Sequence, residues 1–239
     1  FRYKGKKVDP QKAGRELGVR AVLTGRVLQL EDRLVISTEL VHVSDGTQLW
    51  GEHYNRKLGD IFAVQEEIAN QISEKLQLEL SHEEKQRLVK RPTQNAEAYR
   101  LYLKGRYHWN KRNKPAMEKA IEFFERAIAV DPNYALAYTG LADSYIILGF
   151  DGLLPPGQAI PIARQAANRA LEIDDTIAEA HTSLAFINWA YDWDWLGAER
   201  EYQQALRLNP KYPTSHHWHG LYLAIMGQFD EAISELERA

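Results

Sequence analysis

The chain has 239 residues, of which 44% are hydrophobic and 26% charged, and its formal net charge is -3. This composition is typical of a globular protein, and the weak net charge gives no electrostatic reason to expect direct binding to nucleic acid. The absence of cysteine excludes disulfides, thiolate metal ligands and a cysteine nucleophile. The sequence contains no run of about 18 apolar residues, so it predicts no membrane-spanning segment.

Residues 1–80 have the pattern of a small α+β unit. Asp9 and Pro10 are helix-start signals and Gly18 is a stop signal, which predicts a short helix over 10–17. Residues 20–53 alternate between apolar and polar in three stretches separated by the turn-prone segments "EDR" and "SDGT", which predicts an antiparallel three-stranded meander. Asp60 is a predicted N-cap for a long helix that covers the sheet. Its apolar face is Ile61, Val64, Ile68, Ile72 and Leu76.

This first part resembles the second half of a TolB amino-terminal-like domain, a module of bacterial signalling proteins. The resemblance rests on "FRYKGK", "AGRELGVRAVLTGRV", "RLVISTELV" and "DGTQLWGEHYNRKLGDIFAVQEEIA", in that order. It implies that these residues are part of a larger α+β domain.

A charged linker over 81–94 separates this unit from a wholly helical region, 95–239. The segments "ALAYTGLADSY", "AEAHTSLAFIN" and "PTSHHWHGLYL" align without gaps. A second set of helical segments aligns in the same way: "AIEFFERAIAVDP", "ARQAANRALEIDD", "AEREYQQALRLNP" and "AISELERA". This pattern is similar to the tetratricopeptide repeat (TPR), with repeats at about 95–132, 133–175, 176–210 and 211–239, the last incomplete. The predicted fold class is therefore mostly α: a TPR α-solenoid preceded by a small α+β unit.

Small residues recur where the two helices of a repeat are expected to touch. Those on the first helices are Ala142, Ala185 and Gly220, and those on the second helices are Ala163, Ala198 and Ala232. In the first repeat the pattern is carried by Gly105, Ala120, Phe124, Ala127 and Pro132. Pro132 and Pro210 end second helices, because proline cannot continue the helical hydrogen-bond ladder.

Two local clusters allow a ligand-binding interpretation. "WAYDWDW" places Trp189, Tyr191, Trp193 and Trp195 around two carboxylates, which could form a cage for a cation. Its position at the turn of the third repeat favours packing instead, with Asp194 capping the next helix. His216, His217 and His219 stand together, with His181 at the position equivalent to His216. His216 and His219 are one helical turn apart and could meet a metal, but the repeat pattern favours partly buried, hydrogen-bonded imidazoles at 181 and 216.

No catalytic motif is present. The sequence lacks GxxxxGK[ST], GxGxxG after a strand, GxSxG, and the kinase HRD and DFG motifs. We therefore expect no enzymatic activity, no cofactor and no metal site in these residues.

Stacked TPR first helices present a row of side chains to a concave groove, where such arrays bind extended peptides or helices. The repeat alignment predicts that this row is Leu136, Thr139, Asp143, Ile146, Glu179, Thr182, Phe186, Trp189, His217, Leu221 and Ala224. The row is mixed apolar and weakly acidic, which suits an amphipathic or mildly basic partner, and Phe186 with Trp189 are its predicted aromatic anchors.

The two resemblances together imply a protein-binding or sensory region of a bacterial multi-domain regulator, on either side of a membrane. The output module of such a regulator is a winged-helix DNA-binding domain, a serine/threonine kinase or a nucleotide cyclase, and these residues do not choose among them. The alternative is a self-assembly module that forms homo-oligomers. The chain begins without Met, and Ile233 and Leu236 would lack a covering helix after Ala239. We therefore expect a longer parent protein.

Overall fold

The computed structural model describes residues 8–75 and 92–239, and the chain divides into two compact units at residues 91 and 92. The "FRYKGK" segment, Leu76 and most of the predicted linker at 81–94 lie outside the described residues. Each unit is described below by itself.

The first unit is the predicted α+β arrangement. Its elements are α1 (Pro10–Leu17), β1 (Ala21–Leu30), β2 (Arg33–His42), β3 (Gln48–Lys57), a 3-10 turn (Leu58–Asp60) and α2 (Ile61–Lys75). The strands form an antiparallel sheet in the order β1-β2-β3, which confirms the meander. Asp9 caps α1 by accepting a hydrogen bond from the Gln11 amide, and Gly18 ends the helix in a left-handed conformation, φ 65°.

Helix α2 covers only part of the sheet. Val64 packs with the buried Leu34, Leu40 and Tyr54 of β2 and β3, and the Trp50 indole N–H donates to Gln71 Oε1 at 2.9 Å. Leu23 and Val27 of β1 remain exposed. The prediction that the long helix covers the sheet is therefore correct for β2 and β3 and wrong for most of β1.

The second unit consists of helical hairpins. Its helices are α3 (Ala96–Trp109), α4 (Lys114–Val130), α5 (Ala135–Phe150), α6 (Pro156–Ile173), α7 (Ala178–Ala190), α8 (Trp195–Leu208), α9 (Pro213–Ile225) and α10 (Phe229–Arg238). Helices α3, α5, α7 and α9 each pair with the helix that follows, and α3, α5 and α7 each also pack on the next helix of this set. We call α3, α5, α7 and α9 the first helices of repeats 1 to 4.

Side-chain caps start several of these helices. Asn95 accepts from the amides of Glu97 and Ala98, and Asn113 accepts from the Ala116 amide. Helices α4 and α8 end two residues before Pro132 and Pro210, as the breaker signals predict.

The prediction that small residues lie where the two helices of a repeat touch is confirmed. The side chains of Ala142, Ala163, Ala185 and Ala198 are fully buried. A β-carbon on Gly220 would come within 2.8 Å of Leu236, which shows how closely α9 approaches α10. Among the described residues, no helix is both long enough and apolar enough to cross a membrane.

Candidate partner-binding groove

The predicted groove row follows the first helices of repeats 2 to 4, but most of it is closed. Six of its members are buried: Thr139, Asp143, Ile146, Thr182, Phe186 and Trp189. Leu136, Glu179, Leu221 and Ala224 are half-buried, and His217 is exposed. The predicted residues do lie along the first helices, but only some of their side chains are accessible to a partner.

Phe186 and Trp189 belong to the core, so their prediction as exposed anchors is wrong. Phe186 is 1% and Trp189 5% exposed. The Phe186 ring centroid lies 4.7 Å from that of Trp218 on the next first helix. The Trp189 indole N–H donates to the Tyr202 hydroxyl at 3.1 Å, on the paired second helix. Both side chains therefore fill the seam between neighbouring helices.

A buried polar network crosses three repeats beneath the groove. Arg106 donates to Asp143 Oδ2 at 3.0 Å, and the Ser183 hydroxyl donates to Asp143 Oδ1 at 2.8 Å. Burial raises the pKa of the Asp143 carboxyl, while Arg106 and the Ser183 hydrogen bond oppose that shift. Because both oxygens are occupied from within the array, Asp143 offers no free negative charge to a partner.

The two predicted threonines are also satisfied internally. The Thr139 hydroxyl donates to the Leu136 carbonyl at 2.9 Å. Thr182 donates to the Ala178 carbonyl at 2.8 Å and contacts the Ser215 hydroxyl of the next repeat. Both hydroxyls are therefore hydrogen-bonded within the array, as is usual for buried polar groups.

Two arginines of the first repeat contribute to this site and were not predicted. The guanidinium carbons of Arg106 and Arg112 lie 4.2 and 3.6 Å from the centroid of the Trp109 ring. Burial lowers the pKa of Arg112, and burial together with Arg112 lowers the pKa of His217. Arg106 occupies the alignment position of Asp143, so extending the groove row into repeat 1 would have found it.

The accessible part of the groove thus differs in charge from the prediction. Arg112 and His217 are exposed, whereas Asp143 is buried and paired. The remaining carboxylate of the predicted row, Glu179, is half-buried, and burial raises its pKa. The weakly acidic character expected from the sequence is therefore wrong, because tertiary contacts neutralise Asp143 and bring in Arg112.

The aromatic turn at 189–195 is a packed corner. Asp194 accepts from the Gly197 amide at 2.8 Å and caps α8, as predicted, and Asp192 pairs with Arg164. Trp189 lies in the core, whereas Trp193 is exposed with φ 59°. Since one ring is buried and another faces solvent, the turn favours packing over the cage that the sequence allowed.

His181 and His216 are hydrogen-bonded structural groups, as the repeat pattern predicts. His216 Nδ1 lies 2.7 Å from Glu235 and its Nε2 lies 2.9 Å from the Pro210 carbonyl oxygen. His181 repeats this arrangement with Glu201 at 2.6 Å. Within 8–75 and 92–239, no group of three or more metal-ligating side chains is arranged to hold a metal ion.

A shallow cleft of about 930 Å³ lies away from the groove row. It is lined by residues of α5 and α6, including Tyr138 and Arg169, together with Asp192. Its charged groups are paired, as Arg164 is with Asp192 and Arg169 with Glu172. The residues that line it do not include any of the predicted groove row.

Comparisons with known proteins agree with this fold. Residues 98–134 match the family model of the tetratricopeptide repeat. The structure is similar to a thermophilic TPR protein of Thermus thermophilus, with a TM-score of 0.50 at 22% identity, covering 59% of this chain and 74% of that one.

Of two curated relatives, one is named as a cyclase and the other as a transcriptional regulator. The chain is 33% identical over 195 residues to "Putative adenylate cyclase 3" of Rhizobium meliloti (strain 1021), covering 79% of this chain and 32% of the relative. It is 24% identical over 136 residues to the transcriptional regulator HilA of Salmonella typhimurium, covering 57% of this chain and 24% of that protein. The chain thus spans a third or less of the length of both relatives. The family model thus identifies a tetratricopeptide repeat at residues 98–134, and the structural likeness shows that the helical unit has an α-solenoid fold, which is typical of protein-binding scaffolds.

Proposed function

We propose that this chain is a non-catalytic, partner-binding region of a larger bacterial regulator, and that its concave groove binds an extended peptide or a helix. The observation that carries the proposal is the Arg106–Asp143–Ser183 network, which joins three first helices into one surface. A surface fixed in this way binds with a smaller loss of conformational entropy than a mobile one.

The partner we propose is a segment with apolar and acidic side chains. Arg112 and His217 are open cationic or polar groups, and Leu221, one helical turn beyond His217, is half-buried and apolar. A carboxylate of the partner would pair with the Arg112 guanidinium, since arginine recognises carboxylates in a bidentate geometry. The TolB-like assignment of the first unit remains a proposal and is not needed for this one.

The regulatory setting is supported by the two relatives, one named as a cyclase and the other as a transcriptional regulator. TPR arrays are generally non-catalytic, and the chain lacks the nucleotide-binding and hydrolase motifs named above. We therefore propose that any enzymatic or DNA-binding activity of the parent belongs to another part of it.

The test is a display library of random peptides selected on the 239-residue chain. A length of about 15 residues spans about 50 Å when extended, enough to follow several first helices. A selected peptide is then titrated against the wild type, Arg112→Glu and His217→Glu by calorimetry. We expect enrichment of acidic and apolar residues, and a loss of affinity of about tenfold or more for each variant, which corresponds to about 1.4 kcal/mol.

Gln203→Glu is the matched control, because Gln203 is exposed on a second helix, away from the first-helix row. Its affinity should equal that of the wild type. Selection of basic peptides, or equal losses in Gln203→Glu and His217→Glu, would contradict the proposal.

A further inference from the structure

The turns that join the first and second helices form one edge of the array, and this edge is unusually apolar. Its exposed large side chains come from three consecutive repeats: Phe150, Leu153, Trp193, Leu196, Ile225, Met226 and Phe229. We call this set the turn edge. None of its members belongs to the predicted groove row, which lies on the first helices.

The exposure of the turn edge is large in the middle of the array. Trp193 is 70% and Leu196 76% exposed, although α9 of the next repeat packs on the third repeat. Two contacts hold this turn in place. The Trp193 and Trp195 ring centroids are 5.7 Å apart, and the Tyr222 hydroxyl of α9 donates to the Trp195 carbonyl at 3.1 Å. A fixed, exposed tryptophan beside an exposed leucine is typical of a binding surface.

The area is sufficient for a specific interface. If a large apolar side chain presents about 150–250 Å² when fully exposed, the turn edge exposes on the order of 600–1,000 Å². A standard protein interface uses about 800 Å² of each partner.

The charges at the two ends of the turn edge are opposite. In the first repeat the turn carries the exposed Lys111, and the exposed Lys114 begins α4; in the fourth repeat the exposed Asp230 and Glu231 lie in the first turn of α10. The carboxylates of the third-repeat turn are engaged within the chain, since Asp192 pairs with Arg164 and Asp194 caps α8.

Two copies of the chain related by a twofold axis through the middle of this edge would present complementary surfaces to each other. Under that symmetry the first repeat of one copy faces the fourth repeat of the other, so the lysines meet Asp230 and Glu231 twice. The second repeat faces the third, so Phe150 meets the surface of Trp193 and Leu196. A closed twofold contact of this kind is the commonest form of homo-oligomer.

We propose that the turn edge is the interface of an antiparallel homodimer. An anionic membrane is a poorer occupant, because Asp230 and Glu231 would be pressed against negative headgroups. This proposal goes beyond groove binding and does not depend on it, because its test measures association of the chain with itself and not with a peptide. Arg112 lies in the same turn as Lys111, so the dimer would place the second copy beside that end of the groove.

The test is sedimentation equilibrium of the 239-residue chain at up to about 100 μM, a range that detects a dimer with a micromolar dissociation constant. We expect a dimer, and a dissociation constant at least tenfold weaker in Trp193→Asp and in Leu196→Asp. Val130→Asp is the control, because Val130 is exposed and apolar but lies at the C-terminal end of α4, the opposite end of that helix from the turn. That variant should dimerise like the wild type.

A charge exchange tests the antiparallel pairing. Lys111→Glu with Lys114→Glu should weaken the dimer, and adding Asp230→Lys with Glu231→Lys in the same chain should restore it. Circular dichroism checks that each variant is folded.

Three results would overturn the proposal. They are a wild type that stays monomeric at the highest concentration, a dimer lost in Val130→Asp but not in Trp193→Asp, and a monomer that binds phosphatidylglycerol vesicles through Trp193. A failure of the full charge exchange to restore the dimer would overturn the antiparallel arrangement.

Discussion

The ring of Phe124, on the second helix of repeat 1, lies where a β-carbon on Gly140, on the first helix of repeat 2, would be only 2.5 Å from two ring carbons. Gly105, on the first helix of repeat 1, meets the same ring, with a β-carbon 2.4 Å away. Phe124 therefore occupies a slot that two glycines on successive first helices leave open. The stacking of repeat 2 on repeat 1 depends on this close approach.

Gly140→Ala should destabilise the array. The added methyl group would overlap the buried Phe124 ring, and overpacking of this kind costs about 1–3 kcal/mol. Urea unfolding followed by circular dichroism measures the change. The matched control is Gly157→Ala in α6, where a β-carbon meets nothing within 4 Å. That substitution should be neutral or stabilise by up to about 1 kcal/mol, and a similar loss in both variants would contradict this account of the Phe124 slot.

Trp189→Ala should lower stability far more than Trp193→Ala. Trp189 is buried and bonded to Tyr202, so its removal leaves a cavity that costs about 3–5 kcal/mol. Trp193 is mostly exposed, so its removal should change the free energy of unfolding by about 0.5 kcal/mol or less. Thermal melts of the two variants compare the losses of stability. Equal losses would show that Trp189 is exposed in the groove and not buried in the core.

Asp143→Ala should be strongly destabilising, because it leaves the Arg106 guanidinium and the Ser183 hydroxyl without their shared acceptor. Breaking a buried ion pair by removing one partner costs about 3–5 kcal/mol. Glu122→Ala breaks an exposed pair with Arg126 in the same unit, and should cost about 1 kcal/mol or less. A small loss in Asp143→Ala, measured by urea unfolding, would show that water can replace the network.

His216→Phe should cost more than His181→Phe, although the two histidines occupy equivalent positions. The Glu235 partner of His216 is buried, whereas the Glu201 side chain is 31% exposed and can be hydrated when its partner is lost. We expect about 1–3 kcal/mol for His216→Phe, the cost of leaving a buried group without its hydrogen bond, moderated by the remaining Arg238 contact to Glu235. Chemical unfolding of both variants tests the order, and a larger loss at His181 would reverse it.

Much of the fold could be predicted from the sequence because its signals are local. Asp194 caps α8, Pro132 and Pro210 follow helices that have just ended, and the small residues at Ala142 and Ala185 coincide with close helix contacts. Each of these features depends on a few neighbouring positions and on the repeat period, and both can be read directly from the chain. The hydrogen-bonded histidines at 181 and 216 follow from the same period.

The open part of the groove was decided only by the tertiary structure. A first helix packs against its own second helix and against the first helices before and after it, so its open sector is narrow. Successive residues on a helix are about 100° apart. A small error in the assumed rotation of a first helix therefore decides whether a predicted groove residue is buried, as Phe186 is, or exposed, as His217 is. The charge of the site could not be predicted from the sequence either. Arg106 and Asp143 are 37 positions apart in the chain, and only the stacking of repeats brings them together so that Arg106 neutralises Asp143.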